Sequence, residues 1–555
     1  MNNKRKRIPA LMGRRIAVRS LAVVMLSLSA GLGSRCLFAH EHTAPKYPVS
    51  FRSTGADSEA DDDSTCRLTL KLIDSTTKKP RAGLVRITTS DGHVLSLEGL
   101  LNRGTGLRQS HRANEWQVLL ESATVSVPRK QLTIEAVSGL ETELTRKTVD
   151  LSDQAASTHT LPLVRFYDAA SRDWRNGNTH LHLMSISREQ ADQYLRSVSR
   201  ADELELVFVS FLRRAKAERG YISNTYTEED LKKLSTHDVT FGFGEEHRHN
   251  FGPGGEGYGH VMFLDIDKLI RPVSIGPGIM GEGSDFPSLR FAIDKARGDG
   301  ATIVWCHNAF GRQEVPEWVS GTLDAHNIFD GGTQGTYEDT YYRFMNIGMR
   351  VPFSTGTDWF IFDFSRVFVE VPQPLTIPRW LEALRAGKSF ITNGPLLELQ
   401  VDQCGPGDVL RLSQPTQLEI RGRAVGRCDF QKIEVIHNGS VVASKASSPV
   451  GGHFKAELTC PIEVNEPGWI ALRVNSQVKN ELGGNIFGHT SAVYIELAEK
   501  NIFKPDVAKE LIIDMQESIR AIEEKAVFAD GTERDQVLNI YREGIANLNK
   551  RLSQE

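Results

Sequence analysis

Apolar and polar residues alternate through Arg67-Leu68-Thr69-Leu70-Lys71-Leu72-Ile73-Asp74. A period of two over that length predicts a half-buried strand. Shorter runs at Ala82–Thr88, Gln117–Leu120, Leu132–Ala136 and Thr145–Leu151 predict further strands, and together they predict an N-terminal β-sandwich over 65–164. From 165 to 393 the pattern changes. Short apolar runs at Leu204–Phe211, Val239–Phe243, His260–Ile266, Thr302–Cys306 and Val351–Ser354 read as buried strands. Ser288–Arg297 and Pro378–Ala386 read as helices. That alternation predicts an α/β barrel or a layered α/β domain. Alternation returns over 394–498, with Asn438-Gly439 as a hairpin turn between Lys432–Ile436 and Ser440–Val442. A second β-sandwich is expected there. Over 499–555, Val507, Leu511, Met515, Ile519 and Ile522 line one helical face, and Val537, Tyr541, Ile545, Leu548 and Leu552 another. Asp530-Gly531-Thr532 separates them, so a helical hairpin packed on its own protein is expected.

The charge is unevenly placed. Net charge is -4, yet residues 1–39 hold eight Lys and Arg and no acid. Without them 58 basic residues face 70 acidic ones, a poor balance for binding phosphate backbones, so no nucleic-acid partner is expected. The basic start precedes an apolar run, Leu21 to Leu32, too short for a comfortable membrane span. It reads as an export signal over 1–39, followed by a polar, acidic linker over 40–64. Export to the periplasm or the extracellular space follows, with no integral membrane segment after signal removal. Arg14-Arg15 weakly resembles a twin-arginine signal. No cysteines are spaced as Cys-x-x-Cys, which argues against a zinc ribbon, and two of Cys404, Cys428 and Cys460 are expected to pair after export.

The chemistry concentrates in the central segment. His180 and His182 form a His-x-His pair at a strand end, and alternate strand residues share a face, so both imidazoles reach one point. Imidazole is the commonest protein ligand for zinc-like metals. Glu245 and Glu246, His260, His307 and Asp358 follow at domain-scale intervals, most of them at the ends of predicted strands, where α/β barrels place their catalytic residues. Glu245 and Glu246 face opposite ways on a strand, and either is a candidate. The Gly-rich loop His247–His260 joins two candidate ligands, so Arg248 is a candidate for an anionic group and His249 for assisting protonation. His237 and His326 read as exposed or core-satisfied, and Cys306 as facing the core. Asp363 and Arg366 are candidate pocket residues.

Gly177-Asn178-Thr179-His180-Leu181-His182, Gly244-Glu245-Glu246, Gly259-His260-Val261, Trp305-Cys306-His307-Asn308 and Thr355-Gly356-Thr357-Asp358 occur in that order. The order resembles the polymerase and histidinol phosphatase (PHP) superfamily, and more closely its CehA/McbA-type metallohydrolases. Ala386–Pro395 resembles their passage into a C-terminal β domain. The resemblance implies a distorted, seven-stranded PHP-like barrel flanked by the two β-sandwich domains. It implies one or two divalent transition metals (zinc, iron or manganese) on His180, His182, Glu246, His260, His307 and Asp358, with Glu246 bridging if two are present. The implied activity is hydrolysis of an ester-like bond, a phosphoester, carboxylic ester or carbamate, in a small-molecule or polymer substrate. Two departures stand out. The stretch after the second strand, Val207-Phe208-Val209-Ser210-Phe211-Leu212, has neither the usual acid nor the usual imidazole, and the late Asp-x-His becomes Asp358-Trp359-Phe360, losing a histidine. These favour one rival, a non-catalytic protein on a degenerate metal barrel that grips a polysaccharide or surface partner. A second rival is a purely structural exported protein assembled through its helical hairpin.

Overall fold

The computed structural model describes residues 64–214, 221–251, 257–308, 311–333 and 335–554. The expected export signal and all of the expected linker but Ser64 lie outside the described residues, as do residues 252–256 of the Gly-rich loop.

Alternation at the N-terminal end produces two facing sheets. Thr65–Asp74 lies between antiparallel Ser122–Pro128 and parallel Ala156–Leu163. The second sheet centres on Gly83–Thr89, with Gln131–Val137 and Gln117–Leu119 beside it. Leu68, Leu70 and Leu72 point inward onto Val85, Ile87, Leu132 and Ile134, while Arg67 and Lys71 point out. Each buried leucine contributes roughly 1.5–3 kcal/mol.

In the central segment Trp174–His182, Leu206–Phe211 and Thr240–His249 run parallel as neighbours. Helix Arg188–Ala201 connects the first two and starts on a capping box from Ser187 and Gln190. Next to Thr240–His249 comes antiparallel Gly259–Leu264, then antiparallel Thr302–Cys306, then parallel Ala325–Asn327 and Phe353–Ser354. The sheet is therefore mixed. It also curls back on itself: Asp358–Trp359 and Arg366–Glu370 both pair with Trp174–His182. Helices Leu289–Gly298 and Ile377–Arg385 fall where periodicity placed them. The strand expected to end at Phe243 instead runs on to His249.

The C-terminal β layers are stitched directly onto this sheet. Ser389–Thr392 pairs with Asn485–Thr490, Phe390 opposite Thr490. The opposing four-stranded sheet contains Leu396–Val401, Thr416–Gly426 and His453–Val464. The Asn438-Gly439 turn forms as expected, both residues left-handed at φ 52 and 93. Helices Pro505–Lys525 and Gly531–Leu552 pack against each other and, through Leu511, Met515 and Tyr541, join the core that contains Trp318. No helix among the described residues is long and apolar enough to cross a membrane. The expected disulfide is not formed: Cys404, Cys428 and Cys460 are all free, and the Cys428 thiol donates to Glu481 Oε1 at 3.3 Å.

Candidate metal centre

The curl of the sheet brings four strand ends and two turns to one buried point. His180 and His182 share a face of Trp174–His182, as period two requires. The turn Thr355-Gly356-Thr357 crosses directly over His180. A Cβ at Gly356 would lie 2.6 Å from His180 Cβ and 2.7 Å from its backbone nitrogen, so only glycine fits. The turn delivers Asp358, itself left-handed at φ 56. The long strand delivers Glu246, while His260 and His307 come from the paired strand and from the end of Thr302–Cys306.

His180 Nε2, His182 Nε2, Glu246 Oε2 and Asp358 Oδ1 form one donor group. Their separations are 2.9 Å (His180 to His182), 3.2 Å (His182 to Glu246), 3.4 Å (His180 to Asp358), 3.8 Å (His182 to Asp358) and 3.9 Å (His180 to Glu246). Four ligands about 2.1 Å from one tetrahedral ion would be about 3.4 Å apart. The other oxygen of Glu246 faces a second group. Oε1 lies 2.9 Å from His260 Nδ1 and 3.9 Å from His307 Nε2, which are 3.4 Å from each other. Glu246 thus spans two sets of donors, one with four and one with three.

The outer nitrogens of these imidazoles decide what the inner ones can do. His182 Nδ1 lies 2.9 Å from the Ser210 carbonyl and His180 Nδ1 2.6 Å from Asp330 Oδ2. Both partners can only accept, so each Nδ1 carries a hydrogen. His260 Nε2 likewise donates to Asn250 Oδ1 at 2.8 Å. The inner nitrogens of the neutral rings are then lone pairs, turned toward one another and toward carboxylates in a water-poor interior. Such a cluster requires positive charge between its members, a metal or extra protons. Partners of this kind also fix ligand orientation in metal sites. Asp330 serves both groups, since its Oδ2 also lies 3.5 Å from His307 Nδ1.

Burial by itself disfavours the His180 imidazolium, but the Asp330 and Asp358 carboxylates outweigh it and hold its pKa well above the ordinary value. Burial would raise the Glu246 carboxyl, yet Arg248 and His260 pull it well below its usual range. Burial raises Asp358, as does the nearby Glu246. Arg248 Nη1 lies 3.1 Å from Glu246 Oε2, and its Nε is buried without a hydrogen-bond partner among the described residues. Arg214 is close enough for burial and the like charge of Arg248 to lower its own pKa.

All six expected ligands thus meet in one cluster. Glu246 is the glutamate that joins it; Glu245 turns to the opposite face, holding His247 Nδ1 at 3.1 Å and the Ile270 amide at 2.7 Å. His249 is on that opposite face too. Its Nε2 donates to Asp285 Oδ1 at 2.8 Å and its Nδ1 accepts the Tyr258 amide at 2.9 Å, so the expected protonation role is withdrawn. The cause is the strand's extension through His249, which imposes alternation where a loop was expected. Cys306 is buried beside His180 and Asp330, its thiol pushed up to about 12 by burial, which leaves it no nucleophile. His237 is exposed, and His326 is core-satisfied by the Trp318 indole at 3.2 Å. Arg366 bonds the Asp202 carbonyl, and Asp363 bonds Asn393 and Asn480. Asp330, Asn250 and Arg214 were missed. Asp330 had one weak signal, an Asp-Gly-Gly turn after a short apolar run. At the two departures stand Ser210, whose carbonyl holds His182, and Trp359, whose ring centroid lies 5.2 Å from that of His182. Comparisons with protein-family models, curated proteins and solved structures return no match.

Proposed function

We propose that the chain is an exported metal-dependent hydrolase of the polymerase and histidinol phosphatase type, with two metal positions bridged by Glu246. His180, His182 and Asp358 complete the first position, and His260 and His307 the second. The single observation that carries this reading is the buried group of two imidazole nitrogens and two carboxylate oxygens around His180, all within 4.8 Å of one another. Imidazole and carboxylate donors suit zinc, manganese or iron. Such ions, when bound, lower the pKa of a coordinated water and polarise the scissile group of an ester-like bond. Asp330 holds two of the imidazoles in register for both positions. Arg248 presents a buried Nε beside the bridge, unpartnered among the described residues, and Arg214 adds like charge. That pairing favours a substrate with an anionic group next to its reacting bond. The basic, apolar start of the chain supports export.

The direct test is hydrolysis by the purified protein loaded with zinc, manganese or ferrous iron. The substrates are p-nitrophenyl phosphate, bis-p-nitrophenyl phosphate, p-nitrophenyl acetate and 1-naphthyl N-methylcarbamate. Turnover that needs metal and is lost in His180→Ala/His182→Ala supports the reading. A loaded protein inert on all four substrates would favour the binding-protein alternative, which the acid and imidazole lacking from 207–212 and the histidine replaced by Phe360 already favour.

A further inference from the structure

Among the described residues, one chain of hydrogen bonds runs from the turn of the C-terminal helical hairpin to the candidate metal centre. The turn between its helices clasps Asp285: the Val527 amide donates to Asp285 Oδ2 at 2.7 Å, and the Asp285 amide donates to the Val527 carbonyl at 2.7 Å. The other carboxylate oxygen of Asp285 accepts His249 Nε2–H at 2.8 Å. The His249 ring is fixed on its second nitrogen by the Tyr258 amide, and stacks on the Tyr258 ring with centroids 3.8 Å apart. The next residue, Asn250, places its Oδ1 2.8 Å from His260 Nε2 and so aims His260 Nδ1 at Glu246 Oε1.

Two glycines make room for this arrangement. A Cβ at Gly276, left-handed at φ 87, would overlap Asp285 Oδ1, and one at Gly257 would lie 2.6 Å from His249 Nδ1. The contact is thus built into the surrounding chain rather than left to surface side chains. It reaches only one of the two donor groups. His180 and His182 are oriented by Asp330 and the Ser210 carbonyl, which among the described residues have no hydrogen bond to the hairpin.

We infer that Asp285 is a positioning residue through which the turn of the C-terminal hairpin holds His249, Asn250 and hence His260, making the hairpin a support for the second metal position alone. This rests on the two-position reading of the site. It gives the appended helices a chemical role, that of setting whether the three-donor position fills.

The test uses the full chain with Asp285→Asn, Val527→Pro and the control Val527→Ala. Proline removes the Val527 amide donor at a position where the side chain is exposed and where Ala526 before it is already extended, as the residue before a proline prefers. Hydrogen exchange is followed in the metal-free proteins, and metal content after loading with zinc. Both variants are expected to exchange about tenfold faster over 245–251 and 257–264. Exchange over 174–182 and 353–359 should stay unchanged, and bound zinc should fall by one ion per chain. Val527→Ala should match wild type. Unchanged exchange over 245–264, or an equal rise across all four segments, would overturn the inference. If the wild-type chain bound no zinc, the two-position reading would fail, and the exchange pattern would still decide the role of the hairpin.

Discussion

Asp330→Asn changes the partner of His180 without changing volume. Asp330 Oδ2 lies 2.6 Å from His180 Nδ1 and 3.5 Å from His307 Nδ1, and it also accepts Asn327 Nδ2 at 3.2 Å. Asparagine keeps one oxygen to accept the His180 hydrogen but loses the charge. A charge-assisted bond contributes about 1.5–3 kcal/mol and a neutral one about 0.5–1.5. The exchange therefore costs about 1–1.5 kcal/mol at His180 alone, close to a tenfold loss in metal affinity. His307 loses the same carboxylate, which moves the expected effect toward the upper end of the roughly 10–100-fold range for such partners. Both metal positions should weaken together, since one carboxylate serves both. The assay is competition for zinc against a chromophoric chelator, with thermal melting of the metal-free protein as the check on folding. A variant that folds and binds both ions within about twofold of wild type would refute the reasoning from outer partners.

Three further predictions follow from the same geometry. Gly356→Ala drives a Cβ into the backbone of His180, which cannot move aside, so urea melts should show a loss of about 1–3 kcal/mol and the first metal position should empty. Arg248→Ala should lower kcat/KM for p-nitrophenyl phosphate at least about tenfold more than for the neutral acetate, and an equal loss on both would remove Arg248 from anion binding. His489 is kept neutral, its pKa pressed by burial to about 3, with Tyr342 OH donating to Nε2 and Nδ1 donating to the Thr490 carbonyl. The unfolded chain takes up a proton below about pH 6.5 that the folded chain refuses, so stability from this group is complete above that pH and lost as pH falls toward 3. The loss at pH 5 is about 2 kcal/mol, and His489→Gln should flatten that part of the stability–pH curve.

How much of this was legible in the sequence depended on the range of the interactions. Leu68, Leu70 and Leu72 could be placed because alternation is local, and the His180–His182 pair because period two alone puts both rings on one face. Glu245 and Glu246 could not be separated. Which face of a strand looks inward is set by its neighbours, here Leu206–Phe211 and Gly259–Leu264. His249 was misjudged because Glu246–His249 lacks apolar residues and reads as a loop, yet pairing with Gly259–Leu264 keeps it extended. Asp330 follows a three-residue strand, too short to carry any period. The join between the central sheet and the C-terminal layers rests on Phe390 facing Thr490, a ladder between segments that nothing local connects.

The proposed function stands on a two-position metal centre bridged by Glu246. Elemental analysis of the purified chain, beside Glu246→Ala, tests it most directly. Two divalent transition ions per wild-type chain are expected, with both lost in the variant. A wild-type chain that holds no metal after incubation with zinc, manganese or anaerobic ferrous iron would contradict it, as would a Glu246→Ala chain that keeps both ions.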